Sequence, residues 1–257
     1  MAGRLHVVWI FWGPLEKGEP HSRTRVFYFG HSMQRLKWIG PETQAGIQKE
    51  FEELFARRVV ADGDMYLTAH PNLLKKFYRA KFAARHIHFN SLEDVPTAGE
   101  DVCEMLTPAQ RQRKDAYTLI REVEHPDSCF LGDLEQWPNQ ASSCGRTFPC
   151  QLKHGCMWSW QLQREALGLE HLAAQGVHLL NSMQSRYTSP MQQFFEGLGD
   201  NCTKSLSGNG MCLTALSSWV VYVFSNLVRV ESSKLLEEHS LASLADVCEQ
   251  GSEADPD

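Results

Sequence analysis

The 257-residue chain has no run of about 20 apolar residues, the length needed to span a bilayer. Its longest apolar run, around 212–224, is broken by Thr214, Ser217 and Ser218, so no transmembrane segment is expected. An excess of positive charge is also missing. Lys and Arg number 25 against 31 Asp and Glu, a formal charge of −6, so any attraction to nucleic acid or an anionic surface has to be local. Eight cysteines occur, yet no Cys-x-x-Cys pair, and the start lacks the basic-then-apolar order of a secretory leader. The thiols are therefore read as reduced, in a nuclear or cytoplasmic rather than secreted protein. Cys144, Cys150, His154 and Cys156 lack the spacing of a zinc knuckle, and no metal is expected there. There is no Walker loop, His-Glu-x-x-His or Gly-x-Ser-x-Gly elbow, and no internal repeat.

What is present suffices for a core, with 42% hydrophobic and 10% aromatic residues in a length that suits one large domain or two small ones. Leu5–Trp12 is rich in β-formers and ends at Gly13-Pro14, which predicts a buried strand. A second β-rich run, Val26–Phe29, closes at Gly30. Ile47, Phe51, Leu54 and Phe55 recur at helical spacing between Pro41 and Val60. Thr107-Pro108 opens a charged helix through Glu124, and Cys129–Leu131 reads as a short strand. Gln161–Gln175 reads as one helix capped at Gly176, followed after residue 190 by a loop through 197–201. The chain beyond Arg229 is Ser, Glu and Asp rich, the composition of a disordered tail.

Three stretches invite chemistry. Arg23-x-Arg25 stands at the mouth of a strand, where a period of two would turn both guanidiniums to one side, able to clamp a phosphate or carboxylate; a solvated pair on an edge strand is the plainer alternative. Between Met65 and Leu92 there is no acidic residue, while Lys75, Lys76, Arg79, Lys81 and Arg85 gather among Phe77, Tyr78 and Phe82. That surface suits a phosphate backbone, and equally the wet face of an amphipathic helix. Gly208-Asn209-Gly210 precedes an apolar helical run, as a plain turn or as a turn that approaches a ligand closely.

Together these stretches resemble the C-terminal half of the DNA cytosine-5 methyltransferases. Pro20–Gly30 is similar to the family's Pro-Gln-x-Arg-x-Arg-strand-Gly block, with His21 for glutamine. Glu170–Val177 is similar to its Glu-x-x-Arg-x-Gln-Gly block, with Ala173 for arginine, and Gly208-Asn209-Gly210 to its closing Gly-Asn block. Asp133–Pro138 and Phe148–Leu152 resemble looser parts of the target-recognition region. The resemblance implies Arg23 and Arg25 as supports of the pocket for a flipped cytosine, and Glu170 and Gln175 as braces. It implies Gly208, Asn209 and Gly210 at an S-adenosylmethionine pocket, and DNA against Lys75, Lys76, Arg79, Lys81 and Arg85.

The family's nucleophile, assisting glutamate and glycine-rich cofactor loop precede the arginine block, and neither Phe-x-Gly-x-Gly nor Glu-Asn-Val occurs in this chain. Pro149-Cys150-Gln151 reproduces the nucleophile tripeptide in a different context and is read as a loop or core thiol. The expected fold is α/β: a partial S-adenosylmethionine-dependent methyltransferase (Rossmann-like) fold with an irregular recognition insertion. Rear strands occupy 1–40, the insertion 41–160, returning helices 161–230 and the acidic tail 231–257. The expected function is that of a degenerate or truncated methyltransferase, inactive alone, with DNA or a complementary methyltransferase chain as partner. The alternative is a non-catalytic module that binds DNA or protein through 70–88.

Overall fold

A computed structural model describes residues 4–59, 61–140, 143–177 and 192–230. The fold is mixed α/β with small sheets. Two compact units interleave along the chain: a smaller one from the start to Phe11, Val26–Phe55 and Ser218 onward, and a larger one of Trp12–Arg25 and Ala56–Ser217. The acidic tail predicted beyond residue 230 lies outside the described residues.

In the smaller unit, strands β1 (Leu5–Trp12) and β2 (Arg25–Ser32) pair in a two-stranded sheet. Strand alternation turns Val8, Ile10 and Phe27 inward. The second strand does not stop at Gly30 but runs through it to Ser32, with the Leu5 side chain lying against Gly30. Strand β3 (Leu36–Trp38) pairs antiparallel with β8 (Leu227–Arg229), Lys37 opposite Val228. Helix α1 (Gln44–Phe55) buries Ile47 and Phe51, the stripe its spacing predicts. Helix α8 (Leu213–Ser225) brings Tyr222 edge-on to Phe51 at 5.2 Å, and the Tyr222 hydroxyl donates to Glu50 Oε2 at 2.6 Å.

The larger unit is built on an antiparallel four-stranded sheet in the order β5 (Cys144–Gly145), β4 (Leu131–Asp133), β6 (Met157–Ser159), β7 (Arg164–Glu165). Successive residues of β6 feed two different clusters, as period two requires. Trp158 joins Tyr78, Phe82, Tyr117, Phe130 and Trp160, while Met157 joins Tyr66, Leu131, Phe148 and Ala173. Gly132, opposite Trp158, has no side chain because the Trp160 ring would lie 3.0 Å from its Cβ. Helices α2 (Pro71–Ala83) and α4 (Pro108–Glu124) pack Tyr78, Phe82 and Tyr117 into the first cluster. Helix α4 opens on a capping box, with Thr107 and Gln110 bonding each other's backbone amides.

The helix expected over Gln161–Gln175 is shorter than its apolar spacing suggests. Only α5 (Gly168–Ala174) is helical; Gln163 takes a left-handed φ of 51°, and Arg164 and Glu165 pair with β6. Burial of both charged side chains decides this. The Arg164 guanidinium donates to Glu170 at 2.7 and 2.8 Å and to the Leu67 carbonyl, and Glu170 also accepts the amides of Ala69 and Leu167. Every lone pair that matters is filled, so the buried pair locks β7 against α5 and fixes one register. The Gly176 cap is left-handed as its position predicts, with φ 81°. After α3 (Glu100–Glu104), the loop expected from Pro190, itself outside the described residues, through 197–201 is largely helical, in α6 (Gln192–Gly197) and the start of α7 (Asp200–Asn209). No helix among the described residues is long and apolar enough to cross a membrane.

Candidate functional site

The three blocks that carry the family resemblance meet in the larger unit. Phe148 donates its amide to the Pro20 carbonyl at 2.7 Å, and Ser22 donates to the Phe148 carbonyl at 2.9 Å, so His21 and Phe148 form an isolated parallel β-bridge. That places Arg23, 6% exposed, where Nη1 donates to the Gln151 carbonyl and Nη2 to the Gly208 carbonyl, both at 2.9 Å. Gln151 donates to the His171 carbonyl, and Gln175 donates to Gln151 Oε1 at 2.7 Å and to the Ser207 carbonyl. Leu213 returns a bond from its amide to the Gln175 carbonyl at 2.8 Å. Residues 23, 151, 175 and 208 thus form one buried hydrogen-bonded junction.

The arginine pair does not face one way. Strand geometry begins only at Arg25, so alternation does not govern Arg23: Arg23 turns inward while Arg25 is exposed and donates to the Thr24 carbonyl. The glycine block is likewise turned on its own chain. Gly208 and Asn209 end helix α7 and Gly210 caps it. A Cβ on Gly208 would lie 2.4 Å from the Lys153 amide nitrogen, and one on Gly210 would lie 2.5 Å from Gln175 Oε1. Gly208 is needed because backbone packs on backbone there, whereas Gly210 faces the tip of the Gln175 side chain; the space in front of the two is filled by Leu152–Lys153 and Gln175. Asn209 is exposed. Cys150, preceding Gln151, is a half-buried free thiol.

Beside the junction, Phe148 stands between two fully buried imidazoles, with ring centroids 6.2 Å from His21 and 5.5 Å from His171. None of the four ring nitrogens has a well-formed hydrogen-bond partner. Burial, followed by the Arg23 guanidinium, lowers His21 from 6.5 to about 3; burial, followed by Lys204, pushes His171 well down. Both rings are neutral in the fold.

The basic helix is α2, with Leu74, Tyr78 and Phe82 inward. Its cations divide into two groups. Lys75 pairs with Glu93, Lys81 with buried Glu165, and Arg85 donates to the carbonyls of Glu104, Met105 and Leu106 at the end of α3. Lys76 and Arg79 are exposed and carry no ion pair among the described residues. Sequence reading missed the partner of Lys81. Glu165 bridges Lys81 and buried Lys204, which also holds Asp200 at 2.9 Å. Burial would raise the Glu165 carboxyl, but Lys204 and Lys81 outweigh it and hold it near 2. Lys204 is correspondingly raised against its own burial by Glu165 and Asp200. Lys81, Lys153, His154 and Lys204 line a cavity of about 290 Å³. The only signal for Glu165 in the sequence is its adjacency to Arg164, which spacing alone assigns to a helix face.

Among the described residues no group of three or more His, Cys, Asp or Glu side chains could hold a metal ion. No protein-family profile matches the chain, and no curated protein matches it.

The neutral histidines set a pH dependence. Their folded pKa values lie below the unfolded value of 6.5, so the unfolded chain binds more protons as pH falls. Stability is complete above about pH 6.5 and declines below it by up to ~1.4 kcal/mol per pH unit for each ring. Urea unfolding midpoints are expected to drop already between pH 6.5 and 5, above the range in which Glu165 titrates; midpoints flat across that interval would contradict it.

Proposed function

We propose that this chain is a degenerate, methyltransferase-like scaffold related to the rear half of the DNA cytosine-5 methyltransferases, inactive in methyl transfer by itself. One observation carries the reading. Blocks around residues 23, 175 and 208, spread over most of the sequence, converge in a single junction in which Arg23 binds the Gly208 carbonyl and Gln175 the Ser207 carbonyl. Order along a chain can arise by chance; convergence of the same three blocks through their own distinctive residues is harder to obtain that way. On this reading β1 and β2 are rear strands of a Rossmann-like sheet, Glu170 is the brace that its bonds to Arg164, Ala69 and Leu167 make it, and the segment around 133–152 belongs to a recognition region.

The cofactor of such a family would be S-adenosylmethionine. The glycines that would face it do not fit one here, since Leu152–Lys153 backbone and the Gln175 side chain take the space a ligand would need. The buried guanidinium of Arg23 is similarly occupied by two carbonyls. No catalytic step is derived through the cofactor. Incubating the purified chain and cytosine-containing DNA with labelled S-adenosylmethionine is expected to leave the DNA unlabelled. Label transfer that disappears in Cys150→Ser would overturn this reading and make Cys150 a nucleophile.

A second reading, DNA binding without chemistry, is favoured by Lys76 and Arg79, adjacent on the outer side of α2 and free of ion pairs among the described residues. Two phosphate contacts give a slope near −2 in log affinity against log salt. Lys76→Glu with Arg79→Glu is expected to abolish binding to a duplex and leave unfolding unchanged, whereas Lys81→Glu should unfold the Glu165 network. Affinity that ignores salt, or survives the double change, removes this reading.

A further inference from the structure

The two-stranded sheet of the smaller unit has a buried face that carries the hydrogen-bonded His6–His31 pair among apolar residues, and an outer face that is apolar and bare. Leu5, Val7, Trp9 and Phe11 of β1 alternate with buried Val8 and Ile10, and Val26 and Tyr28 of β2 alternate with buried Phe27. These six side chains are 64%, 49%, 37%, 55%, 46% and 75% exposed in that order. Gly30 leaves the Leu5 side chain lying across β2, and Trp9 and Phe11 pack edge-on at 5.2 Å, so the six form one continuous surface. None is charged. Their exposed area is on the order of 700 Å², where the largest apolar patch of an ordinary monomer is ~300–600 Å². A stable two-chain interface of standard size needs ~800 Å² from each partner.

Sheets can associate by edge or by face, and the edge of β1 is already closed. Gln48 on α1 accepts from the Phe11 amide and donates to its carbonyl, both at 3.0 Å, and Gln44 donates to the Trp9 carbonyl. These amides stand where a further strand would pair, which removes strand addition at that stretch. The flat aromatic face carries no such cover. Its area, lack of charge and aromatic content match the buried core of a self-complementary interface, in which the same patch serves both subunits.

We propose that this face packs against the same face of a second copy of the chain, sheet on sheet, about a two-fold axis. Tyr28 and Phe11, the most exposed aromatics of the face, act as anchors, Tyr28 on β2 and Phe11 at the end of the outward row of β1. The inference is independent of the methyltransferase reading, since it uses only the strand faces and the closed edge. A complementary chain or another apolar partner would compete for this surface and defines the opposing outcome.

Sedimentation of the full chain between about 1 and 100 µM tests it, a range that brackets micromolar association. The expected result is a discrete species of twice 29.2 kDa, dissociating on dilution. Tyr28→Asp or Phe11→Asp is expected to give monomer with unchanged helical circular dichroism, because both side chains point to solvent in the single chain. Should either charge unfold the unit, the milder Tyr28→Ser is expected to raise the dissociation constant by about tenfold. A monomer throughout the range, open-ended aggregates without a discrete dimer, or a dimer indifferent to Tyr28→Ser and Tyr28→Asp each overturns the proposal.

Discussion

A single buried guanidinium sets the geometry of the larger unit's candidate site. Arg23 satisfies the Gln151 and Gly208 carbonyls, and those groups lie on a loop and a helix end more than a hundred residues away. A charged group in the interior costs several kcal/mol unless its donors are filled, so the position of Arg23 tolerates only arrangements that bring both carbonyls to it. Gly208 then has to be glycine because the helix end presses on Leu152–Lys153, and Gln175 has to span Gln151 and Ser207. The same logic recurs at Arg164–Glu170 and at Lys81–Glu165–Lys204. In each case a buried charge selects one register for segments that apolar packing alone would leave free to slide.

These polar locks account for both what was legible in the sequence and what was not. Strand β1 and helices α1, α4 and α8 announce themselves by composition and spacing, Pro108 marks the start of α4, and Gly176 marks the end of α5. The resemblance blocks were visible as motifs, and their meeting at Arg23 gives them a common structural reason. What the sequence hid depends on partners distant along the chain. Glu165 and Arg164 fall at plausible helix positions, and only their bonds to Lys204 and Glu170 pull them into a strand. Arg23 and Arg25 share a spacing that implies one face, but the strand starts between them. Lys75, Lys81 and Arg85 look like free cations until Glu93, Glu165 and the α3 carbonyls come into place.

The residues of the candidate site spend their polar groups within the fold. The residues at this junction face the chain itself: Arg23 two carbonyls, Gly210 a glutamine side chain, and His21 the Phe148 ring. Two open surfaces stand out among the described residues. Lys76 and Arg79 form a small cationic outcrop on α2, and the β1–β2 face presents aromatics. Neither surface is engaged by the junction at Arg23.

Hydrogen exchange on Arg23→Met tests the central claim most directly, since methionine keeps the length of the side chain and removes its donors. The account has Gln151–Lys153 and Ser207–Leu213 lose amide protection together, with a stability cost of about 2–4 kcal/mol from two orphaned carbonyls, while the β4–β6 amides keep their protection. Retained protection in both segments, or loss in one without the other, would show that Arg23 does not hold the junction together.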